Sequence, residues 1–227
     1  MRLYEETQEL NLHVLVDTGA SMARPFPEKR RQALRFAVAL AYLALSGQQR
    51  VSLYSMSDAV KQELPPLRGQ GNIEKIIQGA TQLSFEGFTD LTRCFETFRP
   101  SRQRYGVIFV ISDFFGRDVN TAADAVSRAA SWPGEVHFLQ VVHPDERSPK
   151  IEGEVELAEV ETGEKRRFWL TRKDVQRYVE TFDAFADNLG RTCASHRIDF
   201  FQCSTDEPFE DRFLDMLVRG SALTGSA

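Results

Sequence analysis

Cysteine is scarce in this chain. The three present, Cys94, Cys193 and Cys203, form an odd and scattered set. With no CxxC pair, the spacing argues against a structural zinc site and fits reduced, buried thiols. Long apolar runs are missing too. The longest, residues 36–45, covers about half a membrane span, so it reads as a buried helix and no membrane insertion is expected. The opening residues, Met1-Arg2-Leu3-Tyr4-Glu5-Glu6, carry charge and no apolar stretch, so no signal peptide is read there and a cytoplasmic location is expected. Basic residues are not in excess: 28 stand against 33 acidic ones, for a net charge of -5, which argues against a nucleic-acid partner. The four histidines, His13, His137, His143 and His196, show no HxxxH-type ligand spacing. Neither GxGxxG after the first strand nor GxxxxGK[ST] anywhere occurs, and Arg68-Gly69-Gln70-Gly71 reads as a turn, so a nucleotide-binding reading finds no support.

What is present is a chain of 227 residues, 42% hydrophobic with 17 Phe, enough for a sizeable core. It reads as a single domain, 1–227. Residues 11–16 are a short apolar run, read as a buried strand that ends at Asp17. Helical spacing over 28–45 follows, stopped at Gly47. Residues 50–57 read as a second strand, with 59–64 as a short edge strand hairpinned to it and Pro65-Pro66 as its end. A helix is expected over 72–83, then a loop, Gly87-Phe88-Thr89-Asp90-Leu91, entering a helix to about Phe98. Residues 105–111 are continuously apolar, as suits a central parallel strand covered on both faces. A helix over 120–131, strands over 136–142 and 198–203, and a closing helix over 209–218 complete the alternation. Such alternation predicts an α/β fold with a doubly wound, mostly parallel six-stranded sheet.

One stretch breaks the pattern. Residues 154–170 hold two extended runs joined by Glu161-Thr162-Gly163-Glu164, read as an inserted β-hairpin at about 152–170. Its Lys165-Arg166-Arg167 run reads as a solvated face, or as a contact for an acidic partner surface. Thr171 and Asp174 resemble a capping box opening a long helix. The stripe Val175, Tyr178, Val179, Phe182, Phe185, Ala186, Leu189 and Cys193 reads as core.

Three loops carry side-chain oxygens: Asp17-Thr18-Gly19-Ala20-Ser21, Gly87-Phe88-Thr89, and Ser112-Asp113. In a doubly wound sheet, ligands bind beyond the carboxyl ends of the strands, where the strand order reverses. Asp17 and Asp113 each end a strand. If those strands are neighbours, both carboxylates share one crevice and Thr89 reaches it from a third loop. Two close carboxylates repel, and a hard cation between them relieves that repulsion.

The pattern Asp17, Ser21, Thr89 and Asp113 resembles the metal-ion-dependent adhesion site of von Willebrand factor A domains, an Asp-x-Ser-x-Ser loop with a distant Thr and a later Asp. The chain departs at Gly19, where that pattern has serine, so one hydroxyl ligand is missing; returning a serine to position 19 would be expected to add an oxygen ligand. The resemblance is closer to the bacterial branch catalogued as domain of unknown function fifty-eight. Its marks are Tyr4-Glu5-Glu6, Asp17 to Met22, Leu64-Pro65-Pro66-Leu67-Arg68-Gly69, Gly87-Phe88-Thr89-Asp90-Leu91, Ile111-Ser112-Asp113-Phe114-Phe115 and Glu161-Thr162-Gly163. Members of that branch usually carry an extra segment before the first strand, so the chain reads as a truncation or a shorter relative. The resemblance implies a non-enzymatic protein-binding module that partners a MoxR-type AAA+ ATPase in assembly or chaperone-like work. It implies Mg²⁺ or Mn²⁺ held by Asp17, Ser21, Thr89 and Asp113, with a degenerate, metal-free site as the alternative.

A rival reading is an enzyme. Val14 to Ser21 also looks like the Asp-Thr-Gly loop of aspartic proteases, which need two such aspartates sharing a proton. No second Asp-Thr-Gly exists, and the residues that follow are helical in spacing where that fold requires β structure. Ser21 and Ser112 lack a nucleophile-elbow context.

Overall fold

The apolar run at the start of the chain forms β1 (Asn11–Asp17), buried at every position. The computed structural model describes residues 10–100, 106–116, 121–158 and 165–219. After β1 come α1 (Pro27–Ser46), β2 (Arg50–Met56), β3 (Val60–Arg68), α2 (Ile73–Thr81), α3 (Leu91–Thr97) and β4 (Gly106–Ser112). Then follow α4 (Thr121–Ala129), β5 (Glu135–Val142), α5 (Pro144–Arg147), β6 (Gly153–Ala158), β7 (Lys165–Leu170), α6 (Arg172–Ser195), β8 (Asp199–Ser204) and α7 (Phe209–Arg219). The proline opening α1 costs no hydrogen bond there, because the first N–H groups of a helix have no partner in the preceding turn.

The main sheet has six strands in the order β3-β2-β1-β4-β5-β8. Only the β2–β3 pair is antiparallel. The fold is thus the α/β, mostly parallel architecture that the alternation predicts. Strand residues alternate between two cores, as the period of two requires. Leu12, Val14 and Val16 of β1 and Val107, Phe109 and Ile111 of β4 face α1, α2 and α7. Leu15, Ile108 and Val110 face α3, α4 and α6. Phe36, Ala37, Leu40 and Ala41 give α1 its buried stripe.

Three features differ from the sequence reading. First, β3 continues through Pro65-Pro66 to Arg68. It is an edge strand, and the pairing slips between Val51↔Leu67 and Leu53↔Leu64, so the prolines fall at a bulge where no ladder N–H is needed. Second, the α6 stripe is core only toward its C-terminal end: Phe182, Leu189 and Cys193 are buried, whereas Tyr178 is 44% exposed. The first turns of α6 lie against α5, where Tyr178 Oη donates to the Glu146 carbonyl at 2.8 Å and Arg147 pairs with Asp183 at 2.7 Å. Third, α5 is a single turn that the sequence reading passed over. Its N-cap is His143, whose Nδ1 accepts from Asp145 N–H.

The inserted hairpin forms as a two-stranded sheet of its own, β6 with β7. Lys165 and Arg167 pair with Glu156 across it, at 2.8 and 3.6 Å, which suits a solvated face. Its turn, like Tyr4-Glu5-Glu6, lies outside the described residues. The Thr171–Asp174 capping box forms as expected, with Asp174 Oδ2 accepting from Thr171 N–H at 2.9 Å. Cys94, Cys193 and Cys203 are free and buried. Among the described residues, no helix is long and apolar enough to cross a membrane.

Phe138 of β5 ties the second core together, stacking on Phe114 at 4.7 Å and meeting Phe95 of α3 edge-on at 5.7 Å. Phe138→Ala should lower the unfolding free energy by about 3–5 kcal/mol, read from urea denaturation. A loss below about 1 kcal/mol would contradict this packing.

Candidate functional site

Strand order decides where the site lies. The chain runs outward from β1 through β2 to β3 on one side, then returns to add β4, β5 and β8 on the other. β1 and β4 are therefore parallel neighbours across the reversal, and their carboxyl ends open one crevice.

Asp17 ends β1 and is 2% exposed. Its Oδ1 accepts from the Gly19 N–H at 2.9 Å and from Thr89 Oγ1 at 2.5 Å, and its Oδ2 accepts from Ser112 Oγ at 2.5 Å. The surrounding loops are stitched to one another. Thr18 Oγ1 donates to the Met56 carbonyl at 2.8 Å, Ala20 N–H to the Gly87 carbonyl at 2.9 Å, and Asp90 N–H to the Ser57 carbonyl at 2.8 Å. Thr89 precedes α3 without capping it; that role belongs to Asp90, which accepts from Arg93 N–H at 2.9 Å.

Asp113 follows β4 directly and is 1% exposed. Its Oδ1 accepts from Phe115 N–H at 3.0 Å, and its carbonyl accepts from Gln140 Nε2 at 2.9 Å. Phe114 beside it has φ of 60°, a left-handed conformation that bulky residues rarely adopt. Stacking on Phe138 and an N–H bond to Ser112 Oγ at 2.9 Å hold it there.

The remaining oxygen of Asp113 meets a cation belonging to the chain. Lys29, in the first turn of α1, is fully buried, and its Nζ lies 2.8 Å from Asp113 Oδ2 and 2.8 Å from Glu146 Oε1. Glu146 is held in α5 by the capping box, its Oε2 accepting from His143 N–H at 3.4 Å. Burial works against the charge on Lys29, but the carboxylates of Asp113 and Glu146 more than offset it and hold its pKa above the ordinary lysine value. Burial raises the pKa of Glu146. Burial, then the charge of Asp113, pushes that of Asp17 up to about 6, against the three hydrogen bonds it accepts.

The four sequence-predicted residues therefore fare unequally. Asp17 and Thr89 are joined directly. Asp113 is brought beside them, linked through the adjoining Ser112 and close enough to perturb Asp17. Ser21 is the half-buried residue of an otherwise buried 3-10 turn, Ala20–Met22, and its hydroxyl has no hydrogen-bond partner among the described residues. Sequence reasoning missed Lys29 and Glu146. Lys29 had a signal: it lies four and seven residues before Ala33 and Phe36, on the buried stripe of α1. A lysine in that register either snorkels to solvent or, if buried, needs a carboxylate partner.

A divalent cation needs several oxygens free to ligate it. Here Asp17 is spent on three donors, Asp113 Oδ2 holds an ammonium, and Gly19 offers no side-chain oxygen. As folded, the set does not present an open ligand shell, and an ion bound at Asp113 Oδ2 would have to displace Lys29 against like-charge repulsion. A serine at 19 would also crowd its neighbours. A Cβ there would sit 2.7 Å from Thr89 Oγ1 and 3.2 Å from Asp17 Oδ1, so it pushes Thr89 off Asp17 before it adds a ligand.

The family model described as Protein of unknown function DUF58 matches residues 1–185. The chain belongs to the DUF58 family. Solved structures give the DUF58 chain its wider fold class. The von Willebrand A domain of SpRpn10 superposes with a TM-score of 0.50 at 10% identity, covering 97% of this chain and 99% of that one. The conserved hypothetical protein BatB of Bacteroides thetaiotaomicron does so with 0.53 at 13% identity, covering 93% and 100%. The pilus adhesin SpaC of Lactobacillus rhamnosus GG gives 0.55 at 10% identity, covering 96% of this chain and 30% of that one. At these identities the likeness shows the fold, a von Willebrand A-like one. No curated protein matches the DUF58 chain in sequence.

The Asp17 carboxyl makes stability depend on pH. A carboxyl whose pKa rises from 3.8 to about 6 on folding binds its proton more tightly in the folded chain. It therefore favours folding below about pH 4, and that contribution is lost as the pH rises through about 6. Relative to Asp17→Asn, the wild type should gain roughly 2–3 kcal/mol of stability between pH 7 and pH 4, read from denaturation at both pH values. A difference that does not change with pH would contradict the burial of this carboxyl.

Proposed function

We propose that this DUF58 domain is a non-enzymatic protein-binding module, whose partner is a MoxR-type AAA+ ATPase in assembly or chaperone-like work. One observation carries the reading. The polar groups of the crevice are spent on one another: Asp17 on Thr89, Ser112 and Gly19, and Asp113 on Lys29. That network fixes three loops as a rigid platform, and it leaves neither aspartate free as a general base or nucleophile. The Asp-Thr-Gly loop supports no protease reading either, because it leads into a 3-10 turn and the 20-residue α1. Likeness in fold to a pilus adhesin supports a binding role, and membership of DUF58 supports the ATPase as the partner.

The metal-dependent form of this reading places Mg²⁺ or Mn²⁺ among Asp17, Ser21, Thr89 and Asp113. Convergence of three of the four favours it, and the Lys29 ammonium on Asp113 speaks against it.

Calorimetry with a purified MoxR-type ATPase from the same cell tests the proposal. A saturable complex of micromolar affinity is expected. Ser21→Arg, on the loop after β1, should weaken it by about tenfold or more, which corresponds to about 1.4 kcal/mol. No complex, or turnover of a peptide substrate by the domain alone, would overturn the proposal.

A further inference from the structure

The buried carboxylates of the crevice are met in two ways: neutral donors hold Asp17, and an ammonium of the chain itself meets Asp113. Asp17 and Asp113 are both buried, at 2% and 1% exposure, and Glu146 approaches the same cation from α5. A buried carboxylate is stabilised by a proton, by hydrogen-bond donors or by a cation beside it. Lys29 is fully buried, bonds Asp113 and Glu146 at 2.8 Å each, and lies 5.9 Å from the centre of the Phe115 ring. The three groups come from α1, the end of β4 and α5, and the ammonium is fully buried among them, with Glu146 on the partly exposed side.

We infer that the Lys29 ammonium is the resident cation of this crevice, a covalently attached substitute for a divalent ion, so that the site is built and works without metal. The inference rests on the crevice being the binding platform only for its functional half; its structural half stands alone. The departure at Gly19 belongs with the substitution. With no divalent ion to ligate, position 19 needs no oxygen, and the space a Cβ would fill holds Thr89 Oγ1 instead, 2.7 Å from where that atom would lie. Thr89 is thereby free to close on Asp17. An outside carboxylate has no metal to complete, so partner recognition here takes place through the loops' surfaces and not through an acidic side chain coordinated at the centre.

Mn²⁺ is the probe, followed by its paramagnetic resonance signal and by thermal melting. The wild-type chain should bind no stoichiometric Mn²⁺ at millimolar concentration, and its melting temperature should be the same in chelator and in Mn²⁺. Lys29→Ala removes the ammonium and leaves the carboxylates facing an acidic hollow. It should melt lower in chelator, take up about one Mn²⁺, and regain a large part of the lost melting temperature, because a ligand that binds only the folded state stabilises it. Asp113→Asn added to Lys29→Ala should abolish that recovery. A wild-type chain that binds one Mn²⁺ overturns the inference, and so does a folded Lys29→Ala chain indifferent to Mn²⁺. Should Lys29→Ala fold in neither condition, the wild-type titration decides alone. A complex with the ATPase that survives chelator agrees with the inference. One that dissolves in chelator overturns it while leaving the proposed partner in place, and absence of any complex counts against the partner alone.

Discussion

A buried ammonium between two carboxylates fixes the architecture of this crevice. Lys29 joins the first turn of α1 to the end of β4 through Asp113 and to α5 through Glu146, with the ammonium and Asp113 buried and Glu146 partly exposed. An ion pair of this kind contributes little net stability compared with apolar packing, since desolvation consumes most of the Coulombic gain. Its consequence is specificity: removing one member strands the others, so the helix, the strand end and the single turn of α5 must hold one mutual placement. The strand order supplies the setting, because only between β1 and β4 do two carboxyl ends meet with the chain leaving in opposite directions.

The same constraint shapes the rest of the site. With Asp113 committed to Lys29, Asp17 is left to be satisfied by neutral donors, and Thr89, Ser112 and the Gly19 N–H provide them. Those bonds reach into two other loops, and backbone bonds from Thr18, Ala20 and Asp90 complete the stitching. Rigid loops on a rigid sheet are what a recognition surface needs, since little ordering remains to be done on binding.

Much of this was legible in the sequence. The apolar runs of β1 and β4, each ending in an oxygen-bearing residue, placed Asp17 and Asp113 at strand ends, and the helix–strand alternation gave a parallel sheet in which those ends would adjoin if the two strands were neighbours. What sequence could not supply was the partner of each charge. Lys29 lies on the apolar stripe of α1, yet an amphipathic pattern tolerates a single lysine, whose long stem can reach solvent from a half-buried position. Its burial depends on Glu146, more than a hundred residues away on a turn too short to announce itself by periodicity. Pro65-Pro66 misled for a related reason. The rule against proline in strands applies to residues whose N–H a neighbour needs, and the pairing slip of an edge strand is invisible until its register is seen. The α6 stripe misled because periodicity says which side of a helix is apolar and does not say how far along its length that side is covered.

The most direct measurement is a crystal structure grown in Mn²⁺, with anomalous differences recorded at the manganese edge. The account predicts no anomalous peak between Asp17 and Asp113, with the Lys29 nitrogen in hydrogen-bonding contact with Asp113 and Glu146. A peak there, with the lysine side chain swung out of the crevice, would contradict it.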